Sequence, residues 1–186
     1  MSVLQTCKVQ DQRGLTLLNL LVSLAIVAIL VAVGVPTFSN IVDNSKRKTA
    51  IYRTMSMLNF ARDSAVHMSS QVVLCSTSTG DSCDSKKSWN DKILVFVDTN
   101  KNNERESNED ILQLFDFLNE GQSLHWKSFG NHAWLSFNAQ GSTGYQSGRF
   151  YYCQNEGEEL EDRGQVIVFR SGRSRIAQRE EFKAGC

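Results

Sequence analysis

The first clear pattern along the chain is an apolar run near its N-terminus. Residues 15–38 carry no charged side chain, and they follow a short polar leader that ends in Arg13-Gly14. About 20 apolar residues are enough to cross a bilayer as a helix, so the run predicts a membrane-spanning segment. A secretory signal has a shorter apolar region and a small-residue cleavage site, which Gly34-Val35-Pro36 does not offer. We therefore expect this helix to remain on the mature protein.

Apolar positions at helical spacing continue from the run to about residue 69. They are Phe38, Ile41, Val42, Tyr52, Met55, Leu58, Ala65 and Val66. Charged residues occupy the other faces, which is the pattern of a helix with one face against a core. We predict one helix of about 50 residues, half in lipid and half against a sheet. Pro36 is expected to kink it, because proline removes a backbone donor.

Short segments with the composition of strands follow the helix. They cover residues 71–76, 92–98, 111–118, 133–138, 148–154 and 165–170. Polar connections separate them, as between the strands of an antiparallel sheet. One helix followed by many short strands predicts an α+β fold in which antiparallel β-sheets pack on the helix. The length fits a single globular domain beyond the anchor, which we place at residues 39–186 with the second half of the helix.

The cysteines favour disulfides over a metal site. They are Cys7, Cys75, Cys83, Cys153 and Cys186. Cys7 lies in the leader, and the other four face the oxidising exterior that the anchor implies. Of the three possible pairings we predict Cys75–Cys83, which closes a short loop, and Cys153–Cys186, which fastens the chain end. Metal binding is the alternative, but no Cys-x-x-Cys is present and no histidine stands at zinc-site spacing.

Opposite charges cancel over the whole chain but not along it. The sequence has 20 basic and 20 acidic residues, which argues against a bulk nucleic-acid coat protein. Acids concentrate at residues 98–120 and 156–162. The segment 163–186 reverses the sign, with six basic residues against Glu180 and Glu181. The tail is therefore the place to look for a local anion-binding surface.

The N-terminal pattern resembles the start of type IV pilin and pseudopilin precursors. Gly14 precedes Leu15 and an unbroken apolar helix that contains Pro36. The resemblance implies that a prepilin peptidase cuts between Gly14 and Leu15 and methylates the new N-terminus. It also implies a single-pass inner-membrane protein that later joins other major and minor pilins in a pilus, with its globular domain periplasmic or extracellular. Asn19 stands where the family has a glutamate, which favours a specialised, minor subunit.

Several later segments resemble the FimT, FimU and GspH group of minor pilins and pseudopilins. They are VVLC (72–75), Cys83, Trp89, ILVFVD (93–98), YYC (151–153), VIVFRSGRSRI (166–176) and Cys186. The resemblance is closest to FimT, because Gly172-Arg173-Ser174-Arg175 matches the Gly-Arg-x-Arg motif with which FimT-type pilins bind DNA in natural transformation. It implies a type IV pilin fold and sequence-independent binding of double-stranded DNA.

Arg173 and Arg175 would point to the same side of an extended strand. Arginine suits phosphate contact, because its planar donor fork matches phosphate oxygens. The predicted DNA-binding residues are Gly172, Arg173 and Arg175, with Arg170, Arg179 and Lys183 nearby. Alternatively, the arginines face solvent or pair with Glu180, Glu181 or the acids at 156–162. The alternative function is that of a structural tip or priming minor pilin, or a type II secretion pseudopilin, without DNA binding.

The acidic segment that begins at Asp98 has the calcium-loop spacing of an EF-hand. Its oxygen-bearing residues are Asp98, Asn100, Asn102, Glu104, Glu106 and Glu109. Asn103 stands where an EF-hand has glycine and the flanks read as strands, so a solvated hairpin loop is favoured and we predict no metal. No nucleophile elbow, phosphate-cradling loop or metalloprotease motif is present in the sequence. We therefore predict a protein that is not an enzyme and needs no cofactor.

Overall fold

The computed structural model describes residues 16–85, 89–116, 118, 121–154 and 164–185. The chain divides into two compact units, residues 1–43 and residues 44–186. The predicted cleavage site between Gly14 and Leu15 lies outside the described residues. So do Cys7, Cys186 and the acidic segment 156–162.

One long helix, α1, runs from Leu17 to Met68. Just before it, the side-chain oxygen of Thr16 accepts the backbone N–H of Asn19 at 3.4 Å, as an N-cap residue does. The apolar side chains from Leu17 to Val35 are exposed. By length and composition, α1 is long and apolar enough to cross a membrane.

Within the second unit, α1 buries a narrow face of mostly small residues. The buried positions are Ala50, Ile51, Thr54, Met57, Leu58, Ala61 and Ala65. Three alanines on this face allow the helix backbone to approach its neighbours closely. The stripe predicted from the sequence is wrong at Tyr52 and Val66, which are 64% and 48% exposed. The phase of the buried face is set by these small residues, which an apolar count overlooks.

Eight strands of the described chain form two antiparallel sheets. The strands are β1 (Gln71–Thr77), β2 (Lys92–Asp98), β3 (Ile111–Phe115), β4 (Gln122–Ser128), β5 (Trp134–Phe137), β6 (Gly148–Gln154), β7 (Gly164–Val168) and β8 (Ser174–Ile176). Sheet A has the order β3-β2-β1-β5, and sheet B has the order β4-β6-β7-β8. A single 3-10 turn, Arg179–Glu181, follows β8. The predicted α+β architecture is confirmed.

Three strand predictions need correction. β4 was not predicted, because its sequence QSLHWKS alternates apolar residues with Ser, His and Lys and lacks a strong β-forming run. The third strand ends at Phe115, short of the predicted residue 118. The strand predicted at residues 165–170 is β7, which ends at Val168 because Phe169 and Arg170 begin a turn.

The main hydrophobic core joins the inner faces of both sheets to α1. Its largest members are aromatic: the ring of Phe150 lies 4.9 Å from Trp89 and 4.5 Å from Trp126, between ring centroids. These geometries are the edge-to-face and stacked arrangements that aromatic pairs prefer. Every core residue lies within residues 44–186, so this unit has its own hydrophobic core.

A smaller cluster lies on the other face of sheet A, where Val73, Cys75, Leu94 and Phe96 are buried. Cys75 is disulfide-bonded to Cys83 across a Cα–Cα distance of 5.5 Å, as the sequence predicted. The bond ties the loop after β1 over this cluster. Cys153 on β6 is also disulfide-bonded. Its predicted partner, Cys186, lies outside the described residues.

Candidate nucleic-acid interface

The register of sheet B brings three chain connections to one end of the sheet. Ser128 pairs with Gly148, Gly148 with Val168, and Val168 with Ser174. β4 and β7 therefore end at the same end of sheet B at which β6 and β8 begin. Three connections lie at this end of the sheet: 129–133, 138–147 and 169–173. We call them the three-loop surface.

The β7–β8 turn, residues 169–173, is held by backbone contacts. The N–H of Gly172 donates to the Phe169 carbonyl at 2.9 Å, and the N–H of Phe169 donates to the Arg173 carbonyl at 2.9 Å. Gly172 is buried with a φ of +77°, and a Cβ there would collide with the Gly141 carbonyl oxygen. The glycine of the Gly-Arg-x-Arg sequence thus lets the turn approach the neighbouring connection.

That neighbouring connection is itself anchored. The N–H of Thr143 donates to the Arg170 carbonyl at 3.0 Å, which joins connection 138–147 to the turn. The Gly141 carbonyl accepts Arg62 Nε of α1 at 2.9 Å. The turn therefore rests on a connection that α1 holds in place, so its side chains project from a fixed backbone.

Two arginines of the turn present their guanidiniums to solvent. Arg170 and Arg173 are both exposed. The Arg170 guanidinium lies over the Phe129 ring, 5.6 Å from its centroid. Among the described residues, the Arg173 side chain has no hydrogen bond, ion pair or ring contact. Both charges are available to an anionic ligand.

Arg175 on β8 is engaged in an intramolecular pair. Its Nη1 donates to Glu181 Oε2 at 2.7 Å, and its Nη2 donates to Glu181 Oε1 at 2.5 Å. The pKa of Glu181 is lowered to about 2, mainly because of this bidentate bond and next because its carboxylate also accepts the N–H of Gln178. The Arg175 guanidinium also lies 5.7 Å from the Phe169 ring centroid. The predicted alternative of pairing with Glu181 therefore holds for Arg175 but not for Arg173.

The C-terminal tail crosses the outer face of sheet B. Arg149 Nη1 donates to the Glu181 carbonyl at 2.9 Å, and Gln165 Nε2 donates to the Lys183 carbonyl at 2.8 Å. Gly185 packs so closely on the Tyr151 ring that a Cβ there would overlap it. The exposed Lys183 side chain therefore projects from a tail fixed on β6 and β7.

Arg179 lies at the opposite end of sheet B from the three-loop surface. It borders a groove of about 180 Å³ with Gly164, the first residue of β7, and Ile176, the last residue of β8. Residues of α1, among them Lys48 and Tyr52, line its other side. The structure thus brings Arg170, Gly172 and Arg173 of the predicted set together, places Arg175 beside them and separates Arg179.

Exposed aromatic rings lie on the same three connections as the two free arginines, and they were not predicted from the sequence. Phe129 is 65% exposed, Tyr145 55% and Phe169 39%. His132 lies between Trp134 and Tyr145, with ring centroids at 4.8 Å and 5.8 Å. These residues lie far apart in sequence. Only the strand register, which single-sequence patterns do not give, would have united them.

His125 on β4 fits a structural role. Its Nε2 lies 3.2 Å from Ser123 Oγ. Burial, and then the charge of Lys127, lowers its pKa. The lowered pKa favours the neutral ring.

The acidic loop after β2 uses its oxygens on its own backbone. The carboxylate of Asp98 accepts the N–H of Lys101 at 2.7 Å and of Asn103 at 2.8 Å. That of Glu109 accepts the N–H of Thr99 at 2.8 Å and of Glu106 at 3.1 Å. In the part of the chain that the structure describes, no group of three or more His, Cys, Asp or Glu residues could hold a metal ion. The geometry suits the hairpin loop favoured from the sequence.

Comparisons with known proteins agree with this architecture. The family model described as "Type II transport protein GspH" matches residues 50–172. A crystal structure of the type IV minor pilin FimU from Pseudomonas aeruginosa PAO1 is similar, with a TM-score of 0.58, 17% identity, and coverage of 76% of this chain and 96% of that one. A second crystal form has a TM-score of 0.56, 16% identity, and coverage of 75% and 98%. No curated protein sequence matches the chain. The similarity confirms the predicted type IV pilin fold.

Proposed function

Because the chain belongs to the GspH family, we propose that it is a minor type IV pilin that binds extracellular DNA for uptake in natural transformation. A prepilin peptidase cuts after Gly14, the apolar part of α1 holds the subunit in the inner membrane, and assembly with other pilins carries the globular unit outward. The membership and the FimU-like fold support a filament subunit. The DNA-binding step rests on the three-loop surface.

One observation carries the DNA-binding proposal. Arg170 and Arg173 hold exposed guanidiniums on a turn whose backbone is fixed against a neighbouring connection. A fixed backbone lowers the entropy lost when these arginines meet a ligand. Their contacts go to phosphates, so double-stranded DNA is bound without regard to sequence and the affinity falls with salt.

Arg175 binds DNA by exchanging its present partner, the Glu181 carboxylate, for a phosphate. Its fork holds the Glu181 carboxylate in the bidentate geometry with which arginine also holds a phosphate. The two side chains are 38% and 31% exposed. Exposed pairs contribute little to stability, so an incoming phosphate displaces the carboxylate at small cost. Arg170 and Arg173 make the first contacts, and Arg175 adds a third.

A titration of labelled duplex DNA, followed by fluorescence anisotropy, tests this function. The full chain in a non-ionic detergent is compared with Arg170→Gln, Arg173→Gln and the control Arg53→Gln. Arg53 is exposed on α1 and is not part of the three-loop surface. We expect each of the first two variants to raise Kd about five- to tenfold, the effect of losing one charged hydrogen bond of about 1–1.5 kcal/mol. The control should bind like the unaltered chain.

The alternative function is that of a structural tip or priming minor pilin, or a type II secretion pseudopilin. The similarity to FimU and the family description favour it. Cells that carry Arg173→Gln separate the two functions. The DNA-binding proposal expects normal piliation and reduced transformation. The structural alternative expects that this exposed change alters neither, and that the folded domain does not bind DNA.

A further inference from the structure

The three-loop surface has a composition that phosphate binding alone does not explain. Its connections 129–133, 138–147 and 169–173 contain no Asp or Glu, although 20 acids occur in the chain. Apart from alanines, the apolar residues of these connections are Phe129, Tyr145 and Phe169. No Leu, Ile, Val or Met accompanies them. The large apolar side chains of these three connections are therefore all aromatic.

Backbone and cation–π contacts link several parts of this surface. The N–H of Phe129 donates to the Ser147 carbonyl at 2.8 Å, which joins its turn to the connection that carries Tyr145. Arg170 lies over the Phe129 ring and Arg175 over the Phe169 ring, at 5.6 Å and 5.7 Å. A cationic group thus lies next to an aromatic ring at two places on a surface built on a fixed backbone.

Two of these rings are largely exposed, unlike the aromatic residues of the core. Phe129 is 65% exposed and Tyr145 55% exposed, whereas the core aromatics Trp126 and Phe150 are fully buried. An exposed ring gains little from burial on folding, and its exposed area is open to a ligand. Protein interfaces share the enrichment in aromatic residues and arginine, but they surround an apolar centre with a polar rim and are not free of acids. An acid-free surface of rings and arginines instead fits a ligand that is both anionic and planar.

We propose that the three-loop surface stacks the exposed bases of single-stranded DNA on Phe129 and Tyr145 while Arg170 and Arg173 hold the phosphates. The inference rests on the proposed function and names a preferred form of its ligand. Proteins that bind single strands combine a positive groove with aromatic platforms, because every base offers a π-face. In a duplex the bases are already stacked on each other, so the rings reach them only at frayed ends or single-stranded tails.

The test uses three probes of equal length: a thymidine oligonucleotide, an abasic strand with the same phosphates, and a duplex. The full chain in non-ionic detergent is titrated with each and followed by fluorescence anisotropy. We expect the thymidine strand to bind about 25-fold more tightly than the abasic strand, the product of about fivefold from each of two stacked bases.

Matched variants identify the cause. Phe129→Leu keeps an apolar side chain without the π-face, and Tyr145→Ala removes the second ring. Each should weaken binding of the thymidine strand about fivefold or more and leave the abasic strand unchanged. Circular dichroism checks that both variants fold, as their exposure leads us to expect.

The outcomes separate this inference from the proposed function. Equal affinity for the thymidine and abasic strands, with binding still lost in Arg173→Gln, overturns base stacking and leaves phosphate binding intact. Binding that is indifferent to both arginines overturns the proposed function itself. If Phe129→Leu binds the thymidine strand as tightly as the unaltered chain, Phe129 offers general apolar area, and the stacking role assigned to it is wrong.

Discussion

Gly172→Ala should both destabilise the globular unit and weaken DNA binding. Gly172 has a φ of +77°, a conformation that costs a non-glycine residue about 1–2 kcal/mol. Its new Cβ would also collide with the Gly141 carbonyl, whose position Arg62 fixes. Relief of such an overlap costs about 1–3 kcal/mol. We expect a total loss of about 2–5 kcal/mol in the free energy of unfolding.

Gly144→Ala is the matched control for this change. Gly144 has a φ of +64°, so alanine there meets a similar backbone cost, but a Cβ would have nothing within 4 Å. It should lose only about 1–2 kcal/mol. Urea unfolding of residues 44–186, which carry both hydrophobic clusters, measures the two losses by the same linear extrapolation. The difference between them isolates the collision.

DNA binding provides a second measure of the collision between the new Cβ and the Gly141 carbonyl. The collision moves the turn that carries Arg170 and Arg173, so Kd for a duplex should rise about fivefold or more in Gly172→Ala. Gly144→Ala should stay close to the unaltered chain. If Gly172→Ala loses no more stability than Gly144→Ala, the turn is not held against Gly141 as described. Unchanged DNA affinity in a destabilised Gly172→Ala would show that the position of the turn does not matter for binding.

Three further predictions concern the ion pair and the acidic loop. Glu181→Gln should lower Kd for duplex DNA about threefold by freeing the Arg175 fork, and adding Arg175→Gln should cancel the gain; no gain would mean that Arg175 has only a structural role. The pKa of Glu181 is lowered to about 2 from its ordinary value of 4.5, so its pairing stabilises the fold fully above pH 4.5 and this contribution is lost as pH falls through about 2. Because the pair is exposed, the Tm of the unaltered unit should exceed that of Glu181→Gln only slightly near neutral pH and meet it near pH 2; a large or constant difference would contradict this. The Tm should also be the same in calcium and in chelator, because Asp98 and Glu109 bind backbone N–H groups; a clear rise with calcium would show that the loop binds the ion.

Sequence patterns predicted the elements of this protein better than their arrangement. The apolar runs of β1 and β2 predict buried strands, and the observed bounds of both strands are close to the predicted ones. β4 escaped because only alternate residues are apolar and the others are polar. The buried face of α1 was misplaced, since alanines such as Ala61 contribute little to an apolar count yet determine how closely the helix packs.

The candidate site could be predicted only in part for a similar reason. Arg173 and Arg175 form a local motif, so the sequence revealed them. Arg175 is paired and Arg173 is not, because Glu181 contacts only Arg175. Glu181 lies six positions after Arg175 and returns beside β8 through a 3-10 turn that the motif does not encode. The rings of Phe129 and Tyr145 join the site through strand register, a long-range property that no local pattern contains.

The most direct test of the central claim is the salt dependence of duplex binding by the full chain and by the double variant Arg170→Gln/Arg173→Gln. Each phosphate contact contributes about 0.9 to the slope of log K against log salt concentration. We predict that the double variant binds more weakly and that the magnitude of its slope is smaller by about 1.8. Equal slopes and equal affinities would contradict the claim that these arginines of the three-loop surface bind DNA.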